Sequence, residues 1–181
     1  MRRELELKFS ISDDKQFIDT LGMKKVVFEN PITQKDLIFI RTGYGFCDLK
    51  GGEPVIRIRE QEGKYVTTLK KYVRGITDRI EVECEILDAK SFQKYLELLD
   101  LELVVTVKKT RERAYYKNAV VCLDYVEGLG NFVEVEIVSD ECNAEDDMKR
   151  LNEIVNELGL NEKNIVEMPY DEMLFNKERG M

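Results

Sequence analysis

The chain contains no histidine. That removes Ser-His and Cys-His nucleophile pairs and the commonest nitrogen ligand for zinc. Its four cysteines (Cys47, Cys84, Cys122 and Cys142) form no C-x-x-C pair, so a thiolate zinc site is not expected either, and a reducing cytoplasm is the default expectation. There is no apolar run of membrane-spanning length and no apolar signal region at the N-terminus, so no membrane partner is expected. A basic excess is also lacking. Lys and Arg total 28 against 36 Asp and Glu, for a net charge of −8. That argues against nucleic acid as a partner. It does not exclude a small anion, because acids elsewhere can mask a local basic cluster. Any metal here would rest on carboxylate oxygens, which favours Mg²⁺ or Mn²⁺.

What the chain does have is charge in a strand period. Charged residues make up 35% of 181 positions, and hydrophobic ones 43%. No linker or low-complexity tract interrupts them, so one domain over 1–181 is expected. Glu4-Leu5-Glu6-Leu7-Lys8-Phe9 alternates strictly, which puts Glu4, Glu6 and Lys8 on one face and Leu5, Leu7 and Phe9 on the other. Same-face side chains on a strand stand about 7 Å apart, so two carboxylates and an ammonium share a row.

The same pattern returns along the chain. Val55–Glu60 sets Arg57 and Arg59 against Ile56 and Ile58, and Tyr65–Lys71 puts Thr68 with Lys70. Arg79–Ile86 sets Arg79, Glu81, Glu83 and Glu85 against Ile80, Val82, Cys84 and Ile86. Lys109, Arg111 and Arg113 share one parity of Leu103–Lys117; Asp124 follows in Ala119–Val126, and Glu134 and Glu136 in Phe132–Val138. Further strands are expected at Lys24–Glu29 and Gln34–Arg41. The Gly-rich stretch 42–54 reads as a loop or a loosely turned hairpin.

Helices are expected after Ser12-Asp13-Asp14 and at Asp88–Leu99, where Phe92, Tyr95, Leu96 and Leu99 form a stripe. Another is expected at Asn143–Leu158, capped by Gly159, and a short one near Asn161–Val166. Pro169-Tyr170 opens a last segment anchored by Met173 and Leu174.

Strands that are apolar on one face and charged on the other fit a flat sheet with a wet face. They fit equally a closed barrel with a polar interior. Two features bear on the choice. Arginine recurs at i, i+2, and its fork suits phosphate oxygens. Carboxylates on neighbouring strands repel unless a cation lies between them. A metal-bound polyphosphate satisfies both.

Glu4-x-Glu6-x-Lys8 resembles the E-x-E-x-K signature of the CYTH family, the triphosphate tunnel metalloenzymes. Gln34-Lys35-Asp36, Ile56-Arg57-Ile58-Arg59, Leu69-Lys70, Arg79-Ile80-Glu81-Val82-Glu83, Lys109-Thr110-Arg111, Leu123-Asp124, Gly128-Leu129-Gly130 and Glu134-Val135-Glu136 follow in the family's order. The class IV adenylyl cyclase branch is the most similar. The resemblance implies an α+β fold: an eight-stranded antiparallel closed β-barrel, a tunnel with helices packed outside. Glu4, Glu6, Asp124, Glu134 and Glu136 would be the metal side. Lys8, Arg57, Arg59, Lys70, Arg79, Lys109 and Arg111 would bind the substrate, with Lys8, Arg59, Lys70 and Arg111 acting in catalysis. The implied partner is a small triphosphate, ATP or another organic or inorganic one, and a homodimer is compatible. Ile38 and Asn131 depart from the family pattern, where an aromatic residue and an acid are common.

Cyclisation of ATP to cyclic AMP and pyrophosphate is the leading activity. Alternatives are a triphosphatase acting on tripolyphosphate, thiamine triphosphate or a nucleotide, and a non-catalytic triphosphate sensor. Some residues have plainer readings. Glu81, Glu83 and Glu85 also fit a solvated face, Cys84 and Cys122 the core, Gly128 and Gly130 turns, and Tyr170 an anchor for the tail.

Overall fold

A computed structural model describes residues 2–12, 14–51, 53–74, 78–140 and 144–180. Eight strands and four α-helices follow one another as β1 (Arg2–Ile11), α1 (Asp14–Met23), β2 (Ile32–Arg41), β3 (Pro54–Gln61), β4 (Lys64–Arg74), β5 (Asp78–Ile86), α2 (Ala89–Leu98), β6 (Leu101–Tyr116), β7 (Ala119–Val126), β8 (Gly130–Asp140), α3 (Ala144–Glu157) and α4 (Tyr170–Glu178). The hydrogen-bonded order is β1-β8-β7-β6-β2-β3-β4-β5. The chain divides into two compact units, residues 1–32 with 109–169 and residues 33–108 with 170–181.

The closed barrel is not what forms. β1 and β5 stand at the two ends of the strand order, and the sheet is open. The outer edge of β1 is already used: the Val166 N–H donates to the Lys8 carbonyl at 2.8 Å, and Phe9 bridges Ile165. The other terminal strand, β5, exposes Glu81, Val82, Glu83, Cys84 and Glu85. A row of charges is a usual way to leave an edge strand unpaired.

In the first unit, alternation becomes burial through the register. Leu5 faces Ile137, Leu7 faces Val135 and Phe9 faces Val133 across β1 and β8. β7 continues the same face with Ala119, Val121 and Leu123. Phe17 and Leu21 of α1 and Leu151, Ile154, Val155 and Leu158 of α3 complete this core. Gly159 ends α3 at φ 72°, a left-handed conformation that costs glycine nothing, and Leu160 N–H reaches back to the Val155 carbonyl.

In the second unit, Phe39, Ile56 and Ile58 pack against Leu96 of α2. Asp88 caps this helix, accepting from the Lys90 and Ser91 amides at 3.0 and 3.1 Å. Tail residue Phe175 meets Phe46 edge-on at 5.1 Å.

Several local expectations are corrected. Lys24–Glu29 is not a strand: Lys25 turns the chain at φ 60°, and only Val26 and Phe28 pack on the core. In α2, Ala89 and Leu96 are buried and Phe92 packs against the Leu96 cluster, whereas Tyr95 and Leu99 are exposed. Cys84 is exposed because the edge strand carries it, whereas Cys122 is buried. The 42–54 stretch contains a 3₁₀ turn, Phe46–Gly51. Tyr170, Leu174 and Phe175 anchor α4. Asp13, Cys142 and Asn143 lie outside the described residues. Among the described residues, no helix is long and apolar enough to cross a membrane.

Candidate functional site

The face opposite the first unit's core is charged, and the register sets its rows. Glu6 lies opposite Glu136, and Lys8 opposite Glu134. Glu134 lies opposite Cys122, and Asp124 opposite Arg111. Arg111 forks onto Asp124, with Nε on Oδ1 at 2.6 Å and Nη2 on Oδ2 at 2.5 Å. Its Nη2 also donates to Glu134 Oε2. Lys109 Nζ approaches Asp124 Oδ2 at 3.5 Å. Asp124 has no solvent exposure, and Lys8 and Lys109 are buried. Lys8 Nζ donates to the Met168 carbonyl at 2.6 Å.

Burial opposes the charge on Arg111, but its hydrogen bonds to Asp124 and the charges of Glu134 and Asp124 outweigh it, holding the guanidinium above its ordinary value. Glu6 goes the other way. Although water still reaches its side chain, the protein packed around it and the repulsion of Glu134 push its carboxyl up to about 7. Lys8 and Arg111 offset part of this, and Glu136 adds to it.

Glu6 therefore binds its proton more tightly in the folded chain than in the unfolded one. The stability this contributes is complete below about 4.5 and gone above about 7. Glu6→Gln should remove that dependence. Its melting temperature is expected to exceed that of the metal-free parent at pH 8 by roughly 2–4 °C, exposure limiting the effect to on the order of 1 kcal/mol, and to match it near pH 4.5. Parallel thermal melts across that range check it.

The donors on this face are hard oxygens crowded by like charge, a set that suits Mg²⁺ or Mn²⁺ rather than a softer ion. Glu6, Glu134 and Glu136 fit this description. Asp124 does not stand ready for a cation, because Arg111 and Lys109 already hold it. Among the described residues, no three acids or cysteines are gathered closely enough to hold an ion as they stand. The side chain of Glu4 lies outside what is described.

The second unit carries a basic cluster. Asp36 takes Arg59 in a two-point grip, Nε to Oδ1 at 2.7 Å and Nη2 to Oδ2 at 2.6 Å. Arg57 Nη2 donates to Thr68 Oγ1 at 2.8 Å and to Glu83 Oε1 at 3.2 Å. Lys70 pairs with Glu81 at 3.3 Å. The Asp171 carboxyl of α4 is raised by burial, against the pull of the Glu172 amide, Lys70 and Arg57. Glu81, Glu83 and Glu85 are exposed, as a solvated face requires, yet the first two pair with these bases. Arg79 pairs with Tyr72 in the β4–β5 register, but its side chain lies outside what is described.

Charge alternation thus places Lys8, Lys109, Arg111, Asp124, Glu6, Glu134 and Glu136 on one face of the first unit. It does the same for Arg57, Arg59 and Lys70 in the second. Three residues of the second cluster were missed. Asp36 stood in the Gln34-Lys35-Asp36 motif, and Thr68 shared a parity with Lys70, signals that were present but not read as partners. Asp171 gives no sequence signal, because its place beside Lys70 and Arg57 comes from the docking of α4.

The CYTH domain profile matches residues 2–170. A Methanocaldococcus jannaschii protein named "Putative adenylate cyclase MJ0240" is 27% identical over 173 residues, covering 94% of this chain and 97% of that one. The solved PH1819 protein of Pyrococcus horikoshii is 27% identical with a TM-score of 0.78, covering 97% and 99% of the two chains. A "putative adenylyl cyclase" from Hippeastrum, described as revealing a dominant triphosphatase activity, shares the fold at 18% identity and TM-score 0.67, covering 98% and 96%.

Proposed function

Because the chain belongs to the CYTH family, we propose that it is a divalent-metal-dependent enzyme acting on a small triphosphate, and that its reaction converts ATP to cyclic AMP and pyrophosphate. One observation carries this reading. Glu6 lies directly opposite Glu136, and Lys8 opposite Glu134, on a face where Lys8 and Lys109 are buried. Carboxylates that repel one another, with cations beside them, are suited to a metal and a polyanion together. The relative of matching length that bears the name "Putative adenylate cyclase MJ0240" supports the choice of reaction.

Glu6, Glu134 and Glu136 are the proposed metal carboxylates, joined by Glu4. Mg²⁺ or Mn²⁺ held by these carboxylates would supply positive charge and would lower the pKa of the attacking ribose hydroxyl. Asp124 serves the bases instead: it holds Arg111 by Nε and Nη2, leaving the Nη1 edge for a phosphate oxygen. Lys8 and Lys109 bring charge to the phosphates. Taken by itself, the second unit offers Arg57, Arg59, Lys70 and Arg79 as phosphate-binding bases. Within the first unit, Lys8 and Arg111 stabilise the charge that builds on the departing pyrophosphate.

The test is to incubate the purified chain with Mg²⁺ or Mn²⁺ and, separately, ATP and tripolyphosphate. Cyclic AMP and pyrophosphate are measured from the first, and orthophosphate from the second. Cyclic AMP with equimolar pyrophosphate is expected. Orthophosphate from tripolyphosphate without cyclic AMP replaces the cyclase with a triphosphatase. No product from either, with both ligands raising the melting temperature, leaves a sensor.

A further inference from the structure

We propose that Thr68 is a positioning residue for anion binding: its buried hydroxyl orients Arg57 without neutralising it, so that the guanidinium keeps its charge for a phosphoryl oxygen. This rests on the reading of Arg57 as a phosphate-binding base. Arg57, Thr68 and Glu83 are direct cross-strand partners on β3, β4 and β5, one straight row. Thr68 has no solvent exposure. Its hydroxyl accepts from Arg57 Nη2 at 2.8 Å and donates to Glu83 Oε1 at 2.8 Å, so donor and acceptor are both used.

The two arginines of β3 are held in different ways. Arg59 is gripped at two points by Asp36, whose side chain is 8% exposed, and so its charge is matched inside the protein. Arg57 rests on a neutral hydroxyl and on Glu83, whose side chain is 56% exposed and largely screened by water. Burial and the neighbouring Arg59 push the Arg57 guanidinium down, and its buried Nε has no hydrogen-bond partner. A group in that state gains most from an incoming anion. Both of its acceptors lie at Nη2, so losing the hydroxyl leaves only a rim carboxylate to fix the plane. A carboxylate in place of Thr68 would fix Arg57 as firmly but cancel its charge. Valine has the same shape and would do neither.

Calorimetric titration with tripolyphosphate in the presence of Mn²⁺ tests this. Thr68→Val should weaken binding about 10-fold, the size of one hydrogen bond to a charged group. Thr68→Ser, which keeps the hydroxyl, should bind within about 3-fold of the parent by the same reasoning. Thr68→Ala, which cannot overfill the site, should lose as much as Thr68→Val. Arg57→Ala should weaken binding by about 10²-fold, and adding Thr68→Val to it should change nothing more. If Arg57→Ala binds like the parent, the phosphate reading of Arg57 fails and the role of Thr68 with it. If Arg57→Ala is weak while Thr68→Val and Thr68→Ala bind normally, the positioning role alone is overturned. A further loss from Thr68→Val on top of Arg57→Ala also overturns it, because the threonine would then act through the fold.

Discussion

Arg111→Ala is expected to lower folding stability by about 3–5 kcal/mol, the usual cost of stripping one partner from a buried ion pair. The cost follows from what is left behind. Asp124 has no solvent exposure, and it accepts two hydrogen bonds from Arg111. Lys109 remains, but at 3.5 Å, too long to replace a fork. Glu134 loses the same donor. For a chain of this length the loss corresponds to a fall in melting temperature of roughly 6–20 °C. Arg111→Lys keeps a charge without the fork and should fall between the two. Asp124→Asn in the Arg111→Ala background removes the stranded charge and should recover part of the loss. Urea and thermal unfolding of the four proteins measure this. An Arg111→Ala protein within about 1 kcal/mol of the parent would mean that the Asp124 pairing is no better than a surface ion pair.

Glu136→Gln should separate activity from stability. Glu136 lies directly opposite Glu6 and contributes to raising the Glu6 carboxyl. Replacing it by a neutral isostere relieves that repulsion, so the metal-free fold should be as stable as the parent or slightly more stable. The same change removes a hard oxygen donor. Turnover with Mn²⁺ should fall by roughly 10²-fold or more, since the loss of even an outer-shell partner costs 10–100-fold. Part of the loss should return at higher Mn²⁺, as expected of weakened metal binding. Glu134→Gln is less clean, because Glu134 also accepts from Arg111. Full activity with unchanged Mn²⁺ dependence in Glu136→Gln would remove this carboxylate from the metal set.

The sequence was informative where its period was two. The two faces of β1, β3 and β8 could be read from alternation, because a register shift of one residue would exchange the charged row for the apolar row against the core. Sheet closure could not be read that way. It depends on whether the two terminal strands meet, and the segment carrying Ile165 and Val166, with no strand pattern of its own, settles the edge of β1. Lys24–Glu29 shows the same limit: Val26 and Phe28 alternate as a strand would, but they pack on the core without a ladder. Among charged residues, the bases were easier to place than their partners. Arg57 and Arg59 look alike in sequence, and only the register shows that one meets Asp36 and the other Thr68.

If the charged face of the first unit binds a triphosphate together with a divalent cation, each ligand should strengthen the binding of the other. Calorimetric titration of tripolyphosphate into the parent and into Glu136→Gln, each with and without Mn²⁺, tests it most directly. The parent should bind more tightly with Mn²⁺ than without it, and Glu136→Gln should keep the metal-free affinity but lose most of the Mn²⁺ increment. No binding by the parent in either condition, or the same Mn²⁺ increment in both proteins, would mean that this face does not hold a metal-bound triphosphate through Glu136.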